Sequence, residues 1–324
     1  MINCLICKKD EKVQFLDDYK LQFKEDENYF NSAKLYRCND CDFSFVNPMP
    51  NAEKLDYFYK NIYSSKIRPP YWATEDYEDQ KAHYLEDKNL SYALYLTTLI
   101  DFQKIKNIFD FGCSNGDLGH ALKIKFSQLK LFCSETDKHC KKILNERGYE
   151  NFENLNEINQ KFDLIIATHA LEHITDVNSL FKKFDDILNP SGHFFFEVPY
   201  CPKEYWGGRP YDGIHLLYYT KKSMEKLAEI HGLEFINISF SAHSFEDDRK
   251  FQTEDHKNVM KNNSSFFSIF KLKNLIKNLL PKKIFQILKD YTKINKNRNM
   301  SKLDWFVNNT GQNCYMRGIL KKKA

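Results

Sequence analysis

Long apolar runs are missing from this sequence, and no uncharged stretch approaches the roughly 20 residues that a membrane-spanning helix needs. The apolar segment of a cleavable leader is missing too, because Met1 to Lys12 holds two cysteines and several charges instead. Glycine is scarce, at 11 of 324 residues; with 28% charged and 42% apolar side chains, the composition is that of one large globular domain or two ordinary ones. Nor is there a secreted disulfide framework: the nine cysteines are an odd number, and four crowd into the first 41 residues. These absences set the expectation of a soluble protein of the reducing cytoplasm.

Acidic residues are nearly absent from one segment. Between His256 and Leu303, twelve Lys or Arg stand against one acid, Asp290, for a local charge of +11. The rest of the chain holds 36 basic and 43 acidic groups, so the formal +4 hides an acidic body of −7. Lysine is abundant throughout, as in proteins from AT-rich genomes, and the informative part is the shortage of acids.

Along the chain, Cys4-Leu-Ile-Cys7 and Cys38-Asn-Asp-Cys41 bracket a polar stretch, and Asn47-Pro48-Met49-Pro50 then breaks it. Residues 1–50 read as a separate small unit, and residues 51–104 as a helical linker or lid. In that linker Ala52 to Tyr63 has helical spacing, Arg68-Pro69-Pro70-Tyr71-Trp72 is an aromatic connection, and Glu75 to Gln103 is helical again. Strands and helices alternate over 105–240, the mark of a parallel sheet covered on both faces. Strands are expected at Ile105–Phe111, Leu129–Ser134, Tyr149–Phe152, Phe162–Thr168, His193–Val198 and Leu233–Phe240. Helices are expected at Asp117–Phe126, Asp137–Arg147, Val177–Leu188 and Lys221–His231, the third closed by Asn189-Pro190-Ser191-Gly192. A last strand, Cys314 to Leu320, lies in residues 313–324, and the insertion 241–312 before it is too long for a loop and has helical patterns of its own.

The first strand ends in Asp110-Phe111-Gly112-Cys113-Ser114-Asn115-Gly116. Small residues there let backbone approach a ligand, and the next helix offers free N–H groups. Glu135 ends the second strand, nineteen residues after Gly116, where an acid accepts hydrogen bonds from both ribose hydroxyls of a nucleoside.

With Phe162-Asp163-Leu164-Ile165-Ile166-Ala167-Thr168-His169-Ala170-Leu171-Glu172-His173, and with Leu188-Asn189-Pro190-Ser191-Gly192 running into Phe194-Phe195-Phe196-Glu197-Val198-Pro199, residues 105–240 resemble the class I S-adenosylmethionine-dependent methyltransferases. The resemblance implies an α/β fold with a Rossmann-like seven-stranded sheet whose seventh strand is reversed. It also implies cofactor contacts from Asp110, Gly112, Ser114, Gly116, Glu135, Thr168 and His169: the glycine loop around the methionine part, Glu135 on the ribose, and the fourth strand's end against the cofactor. Ser114 departs from the family's usual Gly, and Glu153-Asn154 stands where an Asp near the adenine is common. A nicotinamide-dependent dehydrogenase is the competing nucleotide reading; Gly119 could serve as its third glycine, but Ser114 breaks its Gly-x-Gly.

Two Cys-x-x-Cys turns suit one tetrahedral ion, so Cys4, Cys7, Cys38 and Cys41 are expected to hold a closed, structural Zn2+; four unrelated buried or redox cysteines are the alternative. The other five, Cys113, Cys133, Cys140, Cys201 and Cys314, read as ordinary small residues. A paired-cysteine unit ahead of a methyltransferase core resembles bacterial methyltransferases of capsule, lipopolysaccharide or antibiotic sugars.

An alcohol or carbon acid must lose a proton to accept a methyl group, so a positioned base is needed. His215 and His173 are the catalytic candidates. For His173 the alternative is a helix-start histidine bonded to backbone; for His215, an ordinary loop residue. Glu197, Tyr200, Tyr211 and Asp212 share the rim and could orient a polyol, and Tyr71 and Trp72 either lid the pocket or anchor the linker.

In the insertion, Phe266 to Leu280 is amphipathic, with lysines opposite an apolar arc. It reads as helices packed on the body, as a dock for a phosphate-bearing substrate, or as a contact with an anionic membrane surface; a nucleic-acid surface is disfavoured by the acidic body. The resulting expectation is a methyltransferase acting on a nucleotide-linked sugar for a surface glycan. The alternatives are a tRNA methyltransferase and a non-catalytic scaffold protein that binds the cofactor.

Overall fold

The computed structural model describes residues 2–19, 30, 33–63, 86–138, 140–202, 215–241 and 315–323. Tyr71, Trp72, Tyr211, Asp212, Cys314 and the basic segment lie outside the described residues.

A seven-stranded sheet forms the centre. Its members are β4 (Asn107–Phe111), β5 (Lys130–Ser134), β6 (Tyr149–Asn151), β7 (Phe162–Thr168), β8 (Leu188–Pro199), β10 (Leu233–Ser241) and β11 (Tyr315–Lys322). Their spatial order is β10-β11-β8-β7-β4-β5-β6. Pairing is parallel from β8 through to β6, whereas β11 runs antiparallel to both β8 and β10. This is the Rossmann-like methyltransferase sheet with its reversed last strand.

Apolar residues fill both faces because each strand alternates between two buried clusters. Phe109, Phe132, Ile165, Phe194, Phe196 and Leu320 belong to one. Ile108, Leu131, Leu164, Ile166, Phe195 and Ile319 belong to the other.

Helices α3 (Asp117–Lys125), α4 (Lys141–Glu146), α5 (Val177–Ile187) and α6 (Lys221–Ile230) connect the strands. In α5, Val177, Leu180, Phe181, Phe184 and Ile187 make the buried stripe, and the Asp176 carboxylate caps the start by accepting from Ser179 N. Thr220 and Ser223 form a reciprocal capping box on α6. Two expected elements come out differently. The helix after β5 begins at Lys141 rather than Asp137, because the intervening backbone serves the loop around Glu135. Asn189–Gly192 is not a closing turn but a bulge inside β8: Leu188 pairs with Phe162 and His193 with Leu164.

The N-terminal residues build a second sheet from β1 (Val13–Asp18), β2 (Lys34–Cys38) and β3 (Ser44–Asn47), followed by α1 (Ala52–Asn61). Its fourth strand, β9 (Leu217–Tyr218), comes from the loop after β8. Phe43 packs on Tyr219 with ring centroids 5.3 Å apart, and Asn178 donates from α5 to the Leu5 carbonyl. Cys4, Leu35, Phe45 and Phe58 thereby share one apolar core with Phe181, Leu217 and Met224. The expected separate unit is packed as part of the larger body. Helix α2 (Glu86–Leu99) covers the other face, where Tyr92 and Tyr95 pack on Phe195. Among the described residues, no helix is long and apolar enough to cross a membrane.

Candidate active site

The chain leaves β4 toward β5 on one side of the sheet and leaves the neighbouring β7 toward β8 on the other, and this divergence opens a crevice at the strands' C-terminal ends. A cavity of about 530 Å3 occupies it, lined by Phe111, Gly112, Ser114, Glu135, Thr168 and His169, among others, with Tyr59 and Tyr63 on the side of α1. Ala170 and His173 also line it.

Glycine is required at position 112: φ is +63°, and a Cβ there would lie 2.7 Å from that of Ala170. Ser114 holds the same left-handed conformation, with φ of 51°, so the side chain that replaces the family's usual glycine keeps a glycine-like backbone. Its N–H donates to Glu135 Oε2 at 2.7 Å, and Asp137 N donates to Oε1 at 2.8 Å. Burial raises the Glu135 pKa against these two backbone donors, which favour the anion. Asn151, which the sequence did not single out, holds the loop by accepting from Glu135 N at 2.9 Å and donating to Glu135 O at 3.2 Å. The carboxylate wall, the close backbone and the apolar sides from Phe111, Ala170 and Ile174 fit a nucleoside-bearing cofactor.

Gly112, Ser114, Glu135, Thr168 and His169 thus come together on the cavity, while Asp110 and Gly116 lie behind it. Asp110 is 3% exposed, with Oδ1 lacking a hydrogen-bond partner among the described residues. Burial, then the charges of Glu135 and Asp117, push its pKa well up. Gly116 starts α3 at φ +68° under the Tyr149 ring, and its carbonyl accepts from Tyr149 Oη at 2.9 Å. Glu153 pairs with Lys141 at 2.5 Å on the surface.

The far wall is a polar network. Glu197, 1% exposed, takes Arg317 Nε at 3.0 Å, Tyr92 Oη at 2.5 Å and His169 Nε2 at 3.1 Å. It therefore holds the wall and is not a rim group for a polyol. Tyr200 packs its ring on Phe240, centroids 4.7 Å apart.

Beyond His169 lies a second buried acid, Glu172, in the short turn Leu171–His173 after β7, also 1% exposed. Burial pushes its pKa up, but a contact with His169 and the charges of His173, His169 and His215 outweigh this and hold it at about 2. His215 does not line the cavity; its ring lies 4.8 Å from that of His173, which does. Leu216 N donates to Glu172 O at 2.7 Å and Tyr219 Oη to Leu171 O at 3.0 Å, which fixes this approach. Glu172 had a visible sign in the sequence, an acid between two histidines after a buried strand, but its partner His215 is 43 residues away. Arg317 was legible as a charge within an apolar strand.

The four N-terminal cysteines also converge, their sulfurs within 4.8 Å of one another. Cys4 to Cys41 and Cys7 to Cys38 are 3.5 Å apart. That is near the roughly 3.8 Å edge of a tetrahedron with Zn–S bonds of about 2.3 Å, and far beyond a disulfide bond. The two turns match: Lys8 N donates to Cys4 O and Asp42 N to Cys38 O, and Lys8 and Asp42 both take positive φ. Outside this set, burial pushes the thiols of Cys113 and Cys140 up.

Residues 80–238 match the family model described as a methyltransferase domain. No curated protein matches the chain. The chain is similar to the O-methyltransferase of a trans-AT polyketide synthase multienzyme of Brevibacillus brevis, solved with S-adenosyl-L-homocysteine, at 15% identity, with 72% of this chain and 71% of that one covered and a TM-score of 0.43. It is also similar to coclaurine N-methyltransferase bound to N-methylheliamine and S-adenosyl-L-homocysteine, at 12% identity, with 74% and 72% covered and a TM-score of 0.45. A possible histamine N-methyltransferase from Thermotoga maritima matches at 15% identity, with 52% and 83% covered and a TM-score of 0.42. The fold is that of the class I methyltransferases. Residues 80–238 are an S-adenosylmethionine-dependent methyltransferase domain, and the protein is an enzyme of that class.

Proposed function

We propose that the enzyme methylates a hydroxyl group or an acidic carbon of a sugar, carried on a nucleotide and destined for a surface glycan. The supporting observation is His173 on the cavity wall with the His215 ring behind it, centroids 4.8 Å apart, beside the buried Glu172. An amine accepts a methyl group through its own lone pair, whereas an alcohol or carbon acid needs a neighbour that removes its proton. His173 is at the cavity wall and His215 beside it, and an adjacent anion makes an imidazole a better base. The sugar rests on the resemblance of the whole arrangement, a four-cysteine unit packed on a methyltransferase core, to bacterial sugar methyltransferases.

In this reading the cavity takes S-adenosylmethionine, which supplies a methyl group on a positively charged sulfur. Glu135 holds the ribose hydroxyls, the loop at Gly112–Ser114 lies against the methionine part, and Thr168 and His169 wall the far side. Alignment of acceptor and methyl does most of the work. Cys4, Cys7, Cys38 and Cys41 hold one structural Zn2+. The basic segment is a dock for the anionic substrate.

Two measurements test the reading. Glu135→Ala should weaken S-adenosylmethionine binding by about tenfold or more, as expected for losing a charge-assisted hydrogen-bond pair; an unchanged calorimetric dissociation constant refutes the site. His215→Ala should lose turnover in a screen of nucleotide-sugars scored by S-adenosylhomocysteine release, while its cofactor affinity stays. Full turnover in that variant removes His215 from the chemistry, and activity on RNA but on no sugar in the same screen overturns the acceptor class.

A further inference from the structure

We propose that Glu172, His173 and His215 form a second metal site, which binds a divalent first-row transition cation beside the cofactor cavity and leaves coordination positions open for an acceptor oxygen. One ligand atom from each residue lies within 4.8 Å of the others. The role given to the cation rests on the methyltransferase reading above; its binding does not.

The independent sign is Glu172 itself. The residue is 1% exposed, and neither carboxylate oxygen accepts a hydrogen bond among the described residues. Its contact with His169 is long, Nδ1 to Oε1 at 3.5 Å. By contrast Glu197, on the other side of the same His169, is met by Arg317, Tyr92 and His169 together. A buried carboxylate without such donors is costly, and a bound cation removes that cost.

Backbone bonds place the three side chains whatever their own chemistry. The turn after β7 presents Glu172 and His173 side by side, and the Leu216 N to Glu172 O bond, at 2.7 Å, brings in the residue before it, His215. His173 is braced on the outer side by the Tyr59 ring, with centroids 6.0 Å apart. One carboxylate and two imidazoles suit Zn2+, Mn2+, Fe2+ or Co2+ better than Mg2+ or Ca2+, which take mostly oxygen. Three protein ligands leave open positions, unlike the closed four-thiolate set.

An acceptor hydroxyl bound to the cation becomes more acidic and releases its proton to water. Its oxygen then forms the new bond to the methyl carbon as the S–CH3 bond breaks, and that electron pair stays on sulfur as S-adenosylhomocysteine. In this arrangement the imidazole lone pairs face the cation, and His215 acts as a ligand rather than as the base.

The test uses the full chain, equilibrated with excess Zn2+ and then dialysed. Elemental analysis should find two zinc equivalents in the wild type, one in His215→Ala and in His173→Ala, and one in a Cys4→Ser/Cys38→Ser double variant. Calorimetric titration with Co2+ of protein carrying zinc only at the thiolates should show one site, weakened about tenfold or more in Glu172→Gln and His215→Ala. His215 is partly exposed, so that variant carries the test if Glu172→Gln fails to fold. One zinc in the wild type and no Co2+ heat overturn the site, as does Co2+ affinity untouched by His215→Ala. Turnover at full rate with a single zinc bound refutes the cation's catalytic role and leaves the histidine-base reading standing. Failure of zinc-loaded protein to bind S-adenosylmethionine refutes the functional reading alone.

Discussion

Asp110 and Glu172 are both buried acids at strand ends, yet their surroundings drive them in opposite directions. Around Asp110, burial is reinforced by two further acids, Glu135 and Asp117, and all three hold its proton more tightly. Around Glu172, three histidines outweigh burial and the carboxylate stays ionised. For Asp110 this sets a pH dependence. Its folded pKa is raised, so the unfolded chain loses this proton first, and the residue's contribution to stability falls as pH rises above about 4, the unfolded value. Asp110→Asn, which mimics the protonated acid, should therefore raise the melting temperature at pH 7 to 8, and the advantage should shrink toward pH 4. A difference that is constant across a pH 4 to 8 melting series would contradict this. Glu135 could be read directly, because an acid closing the second strand has one common use. The pairing of Glu172 with His215 could not, since a loop 43 residues later supplies the second partner.

Among the elements, the buried strands other than β8 were legible to within a residue or two, and β7 in full, because continuous apolar runs leave no other pairing. Irregular segments were not. Pro190 and Gly192 look like a stop, but the bulge absorbs them: Pro190 needs no ladder bond there, and Gly192 leaves room for Leu188, whose Cδ1 would be 2.7 Å from an added Cβ. The start of α4 was misjudged for a different reason. Asp137, at the head of the residues with helical spacing, instead presents its N–H to the Glu135 carboxylate, and a periodicity count does not register such a loop. Nothing in two residues, Leu217 and Tyr218, marked them as the fourth strand of the N-terminal sheet; only the free edge of β3 makes them one.

At the scale of the molecule, that short strand joins the cysteine unit to the catalytic body. The same loop carries His215, so the four-cysteine cluster and the histidine cluster are supported by one packed region. The cysteine unit should accordingly melt with the body. Chelation is expected to lower the melting temperature by about 5–10 °C, the equivalent of a few kcal/mol for a chain of this size. Far-UV circular dichroism and loss of S-adenosylmethionine binding should follow a single transition. Two separated transitions, with cofactor binding surviving the first, would show an N-terminal sheet that folds by itself.

The sequence by itself determined the fold class, the glycine loop with its facing acid, and the four-cysteine set. Each rests on residues close in sequence whose spacing is fixed by local geometry: a glycine turn after a strand, an acid at the next strand's end, two cysteines per knuckle. Tertiary structure decided what depends on distant segments meeting. It moved Glu197 from the rim into a buried pair with Arg317, placed Asp110 behind the cavity, and gathered Glu172, His173 and His215. Such meetings are set by the packing of whole elements against a shared core, which no local pattern encodes.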